Sequence, residues 1–169
     1  MKPTRYVAAA VTALAIGVGA YLTFEHDGPP RPAPDVGYTL LDGTKSGPAQ
    51  LRGHVVLMNF WATTCSVCMQ EMPRIVETHE RFKARGLETV AVAMSYDPPA
   101  SVVQYAESRK LPFGVAIDNT GEVARRFGNV NATPTTVLIN KRGEIVKRYL
   151  GEPDFVALHK LVDQLLAES

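Results

Sequence analysis

Two kinds of apolar pattern alternate along this chain of 169 residues. One is the unbroken run. VVLMNFW, Val55–Trp61, and LETVAVAMS, residues 87–95, carry β-branched and aromatic side chains with almost no polar alternation. Runs of that length and character predict central strands covered on both faces. The other is the helical stripe. Met72, Ile75, Val76 and Phe82 recur at helix spacing and predict a helix over residues 66–83. Pro73 lies inside it, removes a backbone donor and predicts a kink, and Gly86 marks its end. Phe155, Leu158, Leu161, Val162 and Leu165 form a second stripe, in a closing helix over 154–167 that Asp154 caps.

Between these lie shorter elements. A short edge strand is expected over 38–41, before the Asp42-Gly43 turn. A helix follows Asp97-Pro98-Pro99 as far as residue 110, then a strand over 113–117 and a short helix over 121–127. TTVLIN, residues 135–140, turns at Lys141-Arg142-Gly143 into EIVKRYL, Glu144–Leu150, as a hairpin. Strands alternating with helices, with a hairpin near the end, predict an α/β sandwich around a mixed sheet.

The first 34 residues break this pattern. Residues 7–24 carry no charge and would span about 27 Å as a helix, close to the hydrocarbon thickness of a bilayer. Lys2 and Arg5 precede them, while Glu25 and Asp27 follow, an asymmetry that keeps the amino end cytoplasmic and exports the rest. A cleavable signal peptide is the competing reading, with small residues at Val18-Gly19-Ala20. The apolar run continues past them to Phe24, which favours an uncleaved anchor, and export follows either way. Residues 25–34, EHDGPPRPAP, hold four prolines and predict a semi-rigid spacer of about 30 Å. The expected organisation is an anchor over 1–24, a linker over 25–34 and one domain over 35–169, held on the extracytoplasmic side of the inner membrane by a single pass.

Composition adds little to the fold and narrows the function. A hydrophobic fraction of 46% and a charged fraction of 21% are those of an ordinary soluble domain, able to build a core without disulfide staples. The net charge is +1. Basic residues such as Lys83, Arg85, Arg125, Arg126, Lys141 and Arg142 are scattered among acids, which excludes a nucleic-acid surface.

The chemistry gathers at WATTCSVC, which contains the only two cysteines. Zinc needs four ligands, yet there is no second C-x-x-C, and His26, His54, His79 and His159 show no clustered spacing. A structural disulfide Cys65–Cys68 would close a four-residue loop and remove little unfolded-state entropy. A reversible dithiol is favoured by placement. A strand ends at Trp61 and a helix begins near Cys65, where unpaired N–H groups and the helix dipole stabilise a thiolate. Cys65 is then the exposed nucleophile, and Cys68, one turn further in, is the more buried sulfur that attacks second.

VVLMNFWATTCSVCMQEMP, together with NATPTTVLIN downstream, resembles the membrane-anchored thioredoxin-like proteins of the TlpA/ResA type. The resemblance covers residue 35 to the C-terminus and implies a thioredoxin-like fold with an inserted strand-helix segment over 87–117. It also implies a cis Thr133-Pro134 bond facing the disulfide, with Thr133 backbone free to meet an extended substrate. Glu71, the acid of MQEMP, is implied as a proton relay one helical turn beyond Cys68. The expected catalytic set is thus Cys65, Cys68 and Glu71, and Trp61, Thr64, Ser66, Val67, Thr133 and Pro134 are expected to meet substrate, although Trp61 also reads as a large packing residue beside the motif. Three positions depart from related patterns. Asn59 stands where cytosolic thioredoxin has a buried Asp. Thr64 replaces an aromatic platform before the first cysteine. Val67 replaces a proline, which should add an amide donor near Cys65 and make the pair more oxidising.

The resemblance implies reduction of partner-protein disulfides, as in cytochrome c maturation, with electrons arriving from another membrane thiol protein. The expected molecule is a monomer with no metal and no cofactor beyond the Cys65–Cys68 pair. A thiol-dependent peroxide reductase is one alternative, but its P-x-x-x-T-x-x-C pattern would need Pro at Met58 and Thr at Ala62. A copper-handling accessory is the other, and Met58, Met69, Met72 and Met94 read as packing residues rather than ligands.

Overall fold

Strand β4, Val55–Trp61, runs through the middle of a six-stranded sheet, and its lack of polar alternation has a direct cause. Val55, Leu57 and Trp61 enter one apolar cluster, and Val56, Met58 and Phe60 enter another on the opposite face. Every residue of the strand is buried. The computed structural model describes residues 29–168, and the 7–24 span lies outside them. No helix among the described residues is long and apolar enough to cross a membrane.

In chain order the elements are β1 (Arg31–Pro32), β2 (Tyr38–Thr39), β3 (Lys45–Ser46), β4, α1 (Ser66–Phe82), β5 (Leu87–Ala93), α2 (Pro99–Arg109), β6 (Gly114–Ile117), α3 (Glu122–Arg126), β7 (Thr135–Ile139), β8 (Glu144–Leu150) and α4 (Phe155–Ala167). The main sheet is ordered β1-β8-β7-β4-β5-β6. β4 pairs in parallel with β5, and β5 with β6, while β7 is antiparallel to both β4 and β8. The α1, α2 and α4 side chains Met72, Ile75, Val102, Leu158 and Val162 close one face; Val123 and Ala124 of α3, with Phe127 just after it, help close the other. This is the α/β mixed-sheet architecture the pattern predicts.

The differences from expectation lie at ends and edges. Arg31 and Pro32 pair with Ile145 and Glu144, and Ala33 N–H donates to Gly143 O at 2.8 Å. The sheet therefore takes in part of the proline-rich stretch, and Pro32 is tolerated because β1 is an edge. β2 pairs with β3 in a separate two-stranded sheet, and Leu40 bridges to Ala116 of β6. Pro73 sits inside α1 without ending it. A short 3-10 turn, Lys83–Arg85, follows the helix, and Gly86 stops it at φ 102°, a conformation that favours glycine. Asp154 caps α4 by accepting from Val156 N at 2.8 Å.

Candidate active site

The chain leaves β4 at Trp61 and enters α1 through a tight turn, in which Cys65 N–H donates to Ala62 O at 3.1 Å. Cys65 is the N-cap of α1, with φ −92° and ψ 106°. Its Sγ accepts from the backbone N–H of Cys68 at 3.1 Å. The two cysteines form a disulfide with Cα atoms 5.2 Å apart. Cys65 is half-buried and Cys68 is buried, so only one sulfur is open to attack. The first turn of α1 carries no acid, and nothing there opposes the positive end of the helix dipole.

A buried carboxylate holds the loop before Cys65. Asp97 Oδ2 accepts from Thr63 N at 2.6 Å and its Oδ1 from Thr63 Oγ1 at 2.6 Å. Asp97 does not cap α2, whose N-cap is Pro98 with no side-chain bond. The Asp97-Pro98-Pro99 signal thus marks the helix start correctly, but the acid itself serves the cysteine turn.

The rim of the site is mixed. Thr64, Ser66 and Val67 are exposed beside Cys65. The Thr133–Pro134 bond is cis. Thr135 pairs with Phe60, and this register sets Pro134 beside the end of β4 from which the cysteine turn leaves. Tyr96, exposed, brings its hydroxyl within 3.2 Å of Thr133 Oγ1. On the other side Gly151 N–H donates to Pro134 O at 2.9 Å, and Leu150, opposite Thr135, is largely exposed. Trp61 does not belong to this rim. Its ring is fully buried against Tyr105, with centroids 5.3 Å apart, so it supports the turn from below and offers no contact surface. The expected Val67 donor is also displaced: the amide aimed at the Cys65 sulfur is that of Cys68.

Glu71 follows Cys68 by three residues on α1 and is only 1% exposed. Its Oε1 accepts from Asn59 Nδ2 at 3.2 Å and from Thr136 Oγ1 at 3.4 Å. Burial pushes its carboxyl up to about 7; the Thr136 hydroxyl pulls it down in part, and the charge of Glu152 adds to the rise. A carboxyl that gains and loses its proton near neutrality can act as a base toward a neighbouring thiol and later as an acid. Thr136, Asp97 and Tyr96 escape sequence reasoning. Each acts on a residue 34 or more positions away, and only the folded sheet brings them there. Met58, Met72 and Met94 are core residues. Among the described residues, no three His, Cys, Asp or Glu side chains gather where they could hold a metal.

Known proteins share this architecture. The Redoxin family profile matches residues 30–165. The thiol-disulfide oxidoreductase ResA of Geobacillus kaustophilus is 39% identical over 113 residues, which are 67% of this chain and 64% of that protein. ResA of Halalkalibacterium halodurans is 34% identical over 146 residues, 84% of this chain and 82% of its own length. Among solved structures, a candidate thioredoxin from Neisseria meningitidis superposes with a TM-score of 0.76 at 41% identity, covering 81% of this chain and 91% of its own.

Proposed function

The chain belongs to the Redoxin family and to its thiol-disulfide oxidoreductases of the ResA type, and from that premise we propose that it reduces disulfides of partner proteins outside the cytoplasm, tethered by residues 1–24. The observation that carries this reading is the asymmetry of the two sulfurs: Cys65 caps α1 at the surface and accepts the Cys68 amide, while Cys68 is buried.

In the reduced protein the helix end and that amide favour the Cys65 thiolate. The thiolate attacks a partner disulfide, forming a Cys65–partner bond and releasing one partner thiolate. Glu71 takes the proton of Cys68. The Cys68 thiolate then attacks Cys65 Sγ, closing the internal disulfide and releasing the second partner thiolate. The partner thiolates take up two protons, one returned by Glu71 and one from solvent. Two electrons have passed from the pair to the partner, and a membrane dithiol protein restores the pair. The exposed residues Thr64, Ser66, Val67, Tyr96 and Leu150, with half-buried Thr133 between them, suit an extended segment of an unfolded partner such as a cytochrome c precursor.

A Cys68→Ser variant of the full chain in its native cell tests the reading. It is expected to accumulate reducible mixed disulfides on Cys65 with exported proteins. Absence of any such adduct, with Cys65 reduced and accessible, would overturn it.

A further inference from the structure

The two oxygens of Glu71 sit in unlike surroundings. Oε1 is met by Asn59 Nδ2 at 3.2 Å and by Thr136 Oγ1 at 3.4 Å, and Asn59 Nδ2 also donates to Thr136 Oγ1 at 3.0 Å. Oε2 is buried with no hydrogen-bond partner among the described residues.

With the carboxyl ionised, counting hydrogens closes this triangle in one way. The Asn59 amide nitrogen has two hydrogens, one for Oε1 and one for the Thr136 hydroxyl oxygen. The hydroxyl, having accepted one, gives its single hydrogen to Oε1. The amide oxygen could not replace the nitrogen, because it would face a carboxylate oxygen with no donor between them. Oε1 therefore only accepts, and both donors come from rigid central strands, β4 and β7.

We propose that Asn59 and Thr136 are positioning residues that lock the Glu71 carboxyl so that Oε2 alone takes and returns the proton of Cys68. Cys68 stands three residues earlier on α1, on the same face. The transfer balances: the Sγ–H bond of Cys68 breaks, an Oε2–H bond forms, and the proton later leaves Oε2 for a departing partner thiolate. Neither Asn59 nor Thr136 titrates. The charged group facing Glu71 from outside α1 is Glu152, in the turn after β8, and Arg74 holds that acid at 3.5 Å. With its donors in place, Oε1 favours the ionised form. Without them the carboxyl keeps its proton to higher pH and is free to turn. This inference rests on the proton-acceptor role assigned to Glu71 above.

The test follows the side-chain carboxyl carbon of Glu71 by NMR across pH in the oxidised full-length protein. Thr136→Val is expected to raise the titration midpoint by about one pH unit, and Thr136→Ser to restore it. The pH profile of disulfide exchange with a cystine peptide should shift in the same direction. Asn59→Ala provides a second reading should the valine variant fold poorly. An unchanged midpoint in both, or equal shifts in Thr136→Val and Thr136→Ser, would overturn the proposal. Failure of the underlying role reads differently: Glu71→Gln would then leave the exchange profile unaltered, whatever the carboxyl titration shows.

Discussion

Asp118 and Glu71 are both acids that the fold takes out of water, 4% and 1% exposed, yet they are held in opposite ways. Asp118 accepts from the backbone amides of Val123 at 3.2 Å and Ala124 at 2.8 Å, one on each oxygen, at the start of α3. Glu71 has one oxygen met twice by side chains and one met by none. A third buried acid, Asp97, 2% exposed, sides with Asp118, since both its oxygens are taken by Thr63. Acids that fix a loop or a helix start are fully satisfied. The one that follows Cys68 on α1 keeps a bare oxygen, and its burial cost appears as a proton affinity raised to about 7.

Four substitutions test that contrast. Asp118→Ala should have the largest effect, a loss of about 4 kcal/mol in denaturant unfolding, because two buried amides lose charge-assisted bonds. Exchange activity per folded molecule should be unchanged. If Asp118→Ala instead alters exchange, the separation between structural and chemical acids fails.

Glu71→Gln comes next, and its sign is opposite. The carboxyl of Glu71 binds its proton more tightly in the folded state than at its ordinary 4.5. Its contribution is fully present below pH 4.5 and is lost as pH rises through about 7. The oxidised wild type should therefore lose about 3 kcal/mol across that window, and Glu71→Gln should not. Thermal unfolding of both proteins at pH 4 and pH 8 measures the difference.

Asp97→Asn should cost about 1.5 kcal/mol, since both contacts to Thr63 lose the acceptor charge and the Thr63 hydroxyl must accept where it now donates. Hydrogen exchange at the Thr63 amide should speed up about tenfold. The smallest effect is expected from Val67→Pro. The amide aimed at Cys65 Sγ belongs to Cys68 and survives the change, so the reduction potential should fall by less than about 30 mV. A larger shift would return the Val67 amide to the account.

Much of the fold was legible in the chain. The uninterrupted run at β4 announces a strand covered twice, and the Phe155, Leu158, Val162 and Leu165 stripe buries as its spacing requires. The C-x-x-C at a strand-to-helix turn was legible too, because local chain chemistry alone puts Cys65 at the cap. What could not be read depends on distant pairing. Asp97 reads as a helix-start acid until Thr63 lies beside it. Thr136 reads as an ordinary strand residue until β7 is set against β4. Trp61 reads both as a substrate contact and as a packing residue, and strand alternation decides for the second by turning it into the core. The Arg31–Pro32 strand is hidden by its prolines, since only the free edge of β8 gives such a sequence a partner.

The account turns on the unequal proton affinities of the two sulfurs. Reduced full-length protein, alkylated with iodoacetamide at a series of pH values and mapped by mass, measures them directly. Cys65 should react first, with a midpoint below that of a free thiol, and Cys68 only at higher pH. A Cys65 midpoint at or above about 8.5, the value for a free thiol, or earlier labelling of Cys68, would contradict it.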